Sequence, residues 1–361
     1  MPVIWQIRLK QADGSLAAIV DDYESFSAEK RVNAPALYSL RMSGENVKVA
    51  LFELDGQLEF WRRWPEQSIN WTKEIEAFHR NADYIINADG SFTFQSQGRG
   101  YVDLLNRRII ANFTASSEAS KANVAETVAK EFVLEQVGAD AGVGRVTTGL
   151  SIELDGANGN PVYLARFSKN VLEVLQEIGR IGGGDFDVVG TGEATFEFRW
   201  YDGQLGTDRS ATVIFSLPLG NMARPVLSVH RSTEKNAIWV GGQGQQTSRV
   251  LVWRIDAGTI DDSTWNRHEL FTDARNTPSV DGLNSKGDAL LDEHEARPVL
   301  TFDLLQVPAC LYGKHYYLGD LVTALFEAGS ISLSATRKIT GVRFTVDAQR
   351  GEVLTVETSD V

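Results

Sequence analysis

The chain's clearest pattern is alternation. Between residues 193 and 200, Ala194, Phe196, Phe198 and Trp200 fall on one side of an extended backbone, and Glu193, Thr195, Glu197 and Arg199 on the other. A period of two predicts a strand with one buried face and one wet face. The same period places Leu58, Phe60 and Arg62 opposite Glu59, Trp61 and Arg63, until Pro65 ends the run. Further strands are expected over 91–95 and 101–110, separated by a turn at Gly98-Arg99-Gly100, and then over 212–216, 226–231, 237–240, 250–255, 316–326, 338–346 and 352–358. Asp-Gly pairs at 13–14, 55–56, 89–90, 155–156 and 202–203 suit tight turns, so the first twenty residues read as a hairpin.

Past Asn112 the period changes. Ala125, Val128, Ala129, Phe132 and Val133 recur at helical spacing, with Asn123 and Glu126 placed as a capping box and Gly138 as a stop. A second helix over 169–178 turns Val171, Leu175 and Ile178 inward, with Ser168 as its N-cap and Phe167 placed to staple Leu172. A third, over 285–296, stops before Pro298. The plan is a mainly β chain with an α/β insertion: a first β domain over 1–113, the insertion over 114–205, and return strands with a second β domain over 206–361. No Pro- or Ser-rich linker separates them, which predicts that the parts pack on one another.

Composition narrows the role. The 361 residues hold 35 Lys and Arg against 48 Asp and Glu, a formal charge of −13. Arg62-Arg63 and Arg107-Arg108 are isolated basic pairs, so bulk electrostatics exclude a nucleic-acid binder. One cysteine, Cys310, excludes an intrachain disulfide and suits synthesis in a cytoplasm. The first twenty residues, interrupted by Arg8, Lys10 and Asp13, lack a signal peptide's apolar core. No window reaches about 18 uninterrupted apolar residues, which predicts no stable membrane insertion.

Candidate chemistry is sparse. His79, His230, His268, His294 and His315 have no zinc-motif spacing, and His294, between Glu293 and Glu295, reads as part of a solvated helix face. No metal or cofactor is expected. Gly182-Gly183-Gly184 follows a helix instead of preceding one, and Gly241-Gly242-Gln243-Gly244 lacks the phosphate-loop ending, so both read as turns. The loop Asp155-Gly156-Ala157-Asn158-Gly159-Asn160 lacks a distal Glu for calcium and reads as a hairpin loop. Residues 149–153 miss the nucleophile-elbow pattern, and Cys310, between Ala309 and Leu311, reads as a packed small side chain. Glycoside hydrolysis needs a spatial pair of carboxylates, and nothing in the sequence selects one. No catalytic residue is assigned. Trp5, Trp200 and Trp253 sit in strands and read as core. Trp61, Arg62, Arg63 and Trp64 are the candidates for a contact surface, with a buried strand as the alternative.

Taken in order, several landmarks resemble the tail hub, or baseplate hub, proteins of long-tailed bacteriophages, in their siphophage form. The segment Gly100-Tyr101-Val102-Asp103-Leu104-Leu105-Asn106-Arg107-Arg108-Ile109-Ile110 is similar to the point where that family's first barrel gives way to its insert. Val213-Ile214-Phe215-Ser216 with Gly220-Asn221-Met222 resembles its return strand, and Asn236-Ala237-Ile238-Trp239-Val240-Gly241-Gly242 the strand opening its next part. Tyr317-Leu318-Gly319-Asp320-Leu321-Val322 and Ile339-Thr340-Gly341-Val342 resemble its last barrel strands. The resemblance implies two tail-tube-like β-barrels per chain and a homotrimer in the virion's tail tip. That trimer would join the tail tube, or a distal tail protein, to the tail tip or baseplate and form the channel or gate for genome ejection. Implied partners are the tape measure protein and tail fibre or tip proteins, with DNA present only in transit. The resemblance carries no catalytic residues. Two other classes stay open: a cell-wall glycosidase, and a carbohydrate-binding receptor protein of the tail tip.

Overall fold

The computed structural model describes residues 3–111, 118–142, 144–275, 277, 279–296 and 298–360. It is mainly β, with 49% of residues in strands and 17% helical. The chain forms two compact units, Met1–Pro225 with Phe302–Val361, and Val226–Thr301. The second therefore lies inside the stretch 206–361 that the sequence presents as one domain. The expected boundary between 113 and 114 falls outside the described residues.

The first unit is built on one eleven-stranded sheet. Its order is Ile214–Phe215, Leu321–Ala328, Ile331–Asp347, Ser25–Arg31, Ala34–Ser43, Phe92–Gly100, Ile69–Ile86, Gln57–Trp64, Ile4–Lys10 and Leu16–Val20, and Gly351–Asp360 also pairs with Ile331–Asp347. The expectation of two barrels is corrected by this sheet: strands from both ends of the chain are continuous, and among the described residues no barrel closes. The cause is the length of Ile331–Asp347. Its first half pairs with Leu321–Ala328, and its second half with both Gly351–Asp360 and Ser25–Arg31. A strand shared in this way joins strands from both ends of the chain into one sheet. Beneath it, Trp5 meets Phe26 and Phe344 edge-on at ring distances of 5.1 and 5.0 Å, and Phe60 packs against Phe26 and Tyr38.

Gly98 and Gly100 lie inside the strand Phe92–Gly100 and make no turn. A Cβ on Gly98 would sit 1.7 Å from the carbonyl oxygen of Phe78, so the glycine serves close backbone approach. The strand expected over 101–110 is instead interrupted by the short helix Asp103–Asn106, whose Leu104 and Leu105 are buried.

The insertion contributes the helices Ala125–Gln136 and Val171–Gly182, the pair Ala119–Val124 with Pro161–Arg166, and a sheet of Gly184–Gly192, Thr195–Asp202 and Leu150–Ile152. The alternation at Phe196, Phe198 and Trp200 holds, and all three are buried. They share one core with Phe132, Leu175 and Ile178 of the helices and with Phe78, Tyr101 and Leu105. That common core is why no linker marks the insertion.

Local signals fared less evenly. Val124 caps the first insertion helix, while Glu126 turns away to accept hydrogen bonds from the backbone N–H groups of Gly156 and Asn158 at 3.0 and 2.9 Å. The loop 155–160 is thus an anchored crossover and no hairpin, since the strands flanking it pair elsewhere. Asn170, not Ser168, caps the second helix, and Phe167 is exposed without forming the staple. Gly183, in a left-handed conformation, ends that helix, which runs past the expected 178 to Gly182, while Gly184 already opens a strand, so the three glycines do not form the turn expected of them.

In the second unit, Ala237–Gly241 runs antiparallel to Leu251–Ile255 and parallel to Glu269–Asp273. The helix Val280–Glu293, capped by Ser279 and starting earlier than expected, packs Leu283 against Ile238 and Val240. On the opposite face Trp239 and Trp253 stack at 5.7 Å, and Trp253 is exposed, contrary to its expected place in a core.

Candidate functional site

Strand alternation divides the four residues expected at a contact surface. Arg62 points into the unit with no exposed area. Its Nε and Nη2 donate to the two carboxylate oxygens of Glu352 at 2.8 and 2.6 Å, and the Trp5 indole N–H donates to the same carboxylate at 2.8 Å. The guanidinium also lies near the rings of Trp64 and Phe344. Arg62 is therefore a latch between chain segments 290 residues apart, not a surface group. Trp61 faces the other way, under the Arg8 guanidinium at 4.4 Å, with its N–H donating to Glu59. Arg63 covers Trp71 at 4.9 Å, and Trp61, Arg63 and Trp64 are all half-buried.

Three more buried carboxylates work like Glu352. Glu74 receives the Lys30 ammonium at 2.6 Å and the Tyr312 hydroxyl at 3.2 Å. Asp185 binds Lys338 at 2.6 Å, the Asn33 amide at 3.0 Å and the backbone N–H of Leu205 at 2.7 Å, so it ties the insertion to both ends of the chain. Asp320, beside the Leu318-Gly319 landmark, accepts from Thr207 N–H, Tyr317 N–H and the Arg209 guanidinium. Each carboxylate is buried with charged and neutral donors around it, the condition under which a buried charge is tolerated. Sequence reasoning missed all four. Their partners lie far away in the chain, and no local spacing announces them.

The groove on the outer sheet face, about 770 Å³, is lined by Ser27, Ser39, Asn81 and Gln97 with Arg99 and Arg343 at its rims. Arg343 pairs with Glu29, and Arg107 with Asp103 and Asp55, so the groove's cations are largely neutralised by neighbours. Burial pushes the Cys310 thiol up to about 11, away from thiolate chemistry. Among the described residues, no cluster of His, Cys, Asp and Glu could hold a metal ion, and no helix is long and apolar enough to cross a membrane.

Among the described residues, the sheet leaves strand edges open. Leu16–Val20 ends it on one side, Gly351–Asp360 pairs only with Ile331–Asp347, and the part of Ile69–Ile86 beyond His79 pairs only with Phe92–Gly100. Tyr84 and Ile86 on that last stretch are 60% and 79% exposed. A free edge next to apolar side chains is a template on which another chain can pair.

This architecture is that of phage tail proteins. The chain is similar to a tail protein from Neisseria meningitidis MC58 over 99% of its own length and 97% of the other, with 12% identity and a TM-score of 0.60. It is similar to the 43 kDa tail protein of prophage MuSo2 from Shewanella oneidensis over 99% and 98%, at 11% identity and a TM-score of 0.62. A third likeness is to the prophage tail protein gp18 from Listeria monocytogenes EGD-e, over 97% and 94%, at 11% identity and a TM-score of 0.58. At these identities the likeness is one of fold. The chain belongs to the Siphovirus ReqiPepy6 Gp37-like protein family, whose model matches residues 4–357. No curated protein matches it in sequence.

Proposed function

We propose that this phage tail protein is a non-enzymatic trimeric hub, joining the tail tube to the tail tip and surrounding the path of the ejected genome. The observation that carries the proposal is the open sheet with unlike ends. An uncovered edge invites uncontrolled pairing, whereas copies arranged head to tail in a closed ring give each edge a neighbour. The shared tail-protein fold supports the setting, and the Glu352, Asp185 and Asp320 latches suit a part that must hold its shape. Trp61, Arg63 and Trp64 are proposed as contacts to neighbouring tail components such as the tube, tape measure or fibre proteins.

Native mass spectrometry of the purified chain is expected to show three copies, and Trp61→Ala with Trp64→Ala should leave the trimer folded while weakening capture of tail partners. A strict monomer at assembly concentrations would overturn the hub. The genome path adds a second expectation. With a charge of −13 and the groove's arginines already engaged, duplex DNA should not bind tightly at physiological salt. Tight binding that weakens steeply as salt rises would count against a path that DNA crosses without sticking.

A further inference from the structure

Two exposed surfaces of the chain complement each other. On the second unit, the register pairs Trp239 with Trp253 on one side and with Phe271 on the other, so three aromatic rings form a row across the whole sheet. Leu251, Trp253 and Phe271 are each 53% exposed, and Ile255 at the row's flank is exposed as well.

One corner of this face is cationic. Arg249 covers Phe271 at 5.3 Å and pairs with Asp273 at 2.9 Å, and Arg275 reaches the same carboxylate at 3.4 Å. Lys286 donates to the Asp273 carbonyl oxygen at 3.2 Å. Among the described residues these three cations pair with no other carboxylate, which leaves positive charge in excess.

The second surface is the tip of the hairpin formed by Ile69–Ile86 and Phe92–Gly100. Tyr84 and Ile86 share one of its faces with Phe92 and Phe94, their cross-strand partners. Residues 81–93 contain Asp83 and Asp89 and no Lys or Arg. Asp83 makes no ion pair among the described residues, and Asp89 accepts from Ser91 in its own turn. The tip is therefore apolar and negative, where the aromatic face is apolar and positive.

Area decides what can sit on the aromatic face. An aromatic side chain buries about 150–250 Å², so half-exposed Trp253 and Phe271 with Leu251 and Ile255 supply on the order of 400 Å². A standard protein contact takes about 800 Å² from each partner. The face is too small to hold its own twin, and self-pairing would bring its cationic corner no counter-charge. A hairpin tip needs less area and brings the negative charge.

We propose that the hairpin tip carrying Tyr84 and Ile86 in one copy docks on the face of Trp239, Trp253 and Phe271 in the next, with Asp83 and Asp89 set against Arg249, Arg275 and Lys286. The contact rests on the ring proposed above and adds to its edge pairing. Because the two surfaces differ, the contact is head to tail and can be repeated until the ring closes. Apolar burial supplies its strength and the charges its orientation.

The chain's own thiol, Cys310, is buried, so cysteines placed at the margin of the contact report it directly. Ala88→Cys with Val250→Cys, both at exposed positions, is expected to give covalently linked dimers and trimers under mild oxidation. Ala88→Cys with Leu154→Cys, on the exposed insertion loop, should stay uncoupled. Asp83→Lys with Asp89→Asn, which keeps the turn, should raise the concentration needed for trimers about tenfold at low salt, read by native mass spectrometry along a dilution series. Adding Arg275→Glu with Lys286→Glu should restore it. Trimers that form without the cross-link and ignore the charge reversal would overturn this contact and leave the hub standing. A disulfide closed within a single chain would overturn it too, and a strict monomer would remove both the hub and the contact.

Discussion

Replacing Arg62 with alanine is expected to cost the first unit about 3–5 kcal/mol, the range found when one partner of a buried ion pair is removed. Arg62 has no exposed area, and Glu352 would keep only the Trp5 indole as a side-chain donor. A carboxylate left there, against the Trp5 indole and with its side chain only 7% exposed, has lost the water that would stabilise it. Changing both partners, as Arg62→Met with Glu352→Leu, should recover most of the loss, because the remaining cost is one of packing. Urea denaturation followed by tryptophan fluorescence measures both. A single-variant loss below about 1 kcal/mol would mean that the pair behaves like a solvated one.

The second large effect is expected from Gly98→Ala. One methyl group added to a tight interior ordinarily costs about 1–3 kcal/mol. At this position it would overlap the Phe78 carbonyl oxygen at 1.7 Å and press on the Tyr38 ring at 2.8 Å. The obstacle is backbone, which cannot rotate out of the way, so a loss of about 3 kcal/mol or more is expected, with misfolding as its extreme. By contrast Gly90→Ala, where nothing lies within 4 Å, should lose only the modest cost of the left-handed conformation at φ +83°. Comparable denaturation midpoints for the two variants would contradict the close approach of the strands.

These two residues also show what the sequence could and could not disclose. The face of Phe196, Phe198 and Trp200 was legible because burial on one side of a strand is written at a period of two. The helices around Phe132 and Leu175 were legible for the same reason at their own period. Gly98 was misread as a turn because a glycine that admits a neighbouring backbone looks, in sequence, like one that bends the chain. Arg62 was placed on the correct strand and the apolar face, yet its role depends on Glu352, whose position in space is set by the whole sheet. The capping box failed where a tertiary contact outbid a local one: the Glu126 carboxylate accepts from the Gly156 and Asn158 amides and not from the backbone N–H of Asn123. The edges of the proposed ring were invisible because an open edge is a property of strand order.

The strand Ile331–Asp347 has a mechanical consequence. It overlaps Leu321–Ala328 along one half and Ser25–Arg31 with Gly351–Asp360 along the other, like a splice between two ropes. Tension along its axis would load each ladder in shear, so many hydrogen bonds would have to yield together instead of opening one by one. The splice is the path by which a pull on one part of the sheet would reach the other, and single-molecule pulling along that axis should meet a higher rupture force than pulling across it.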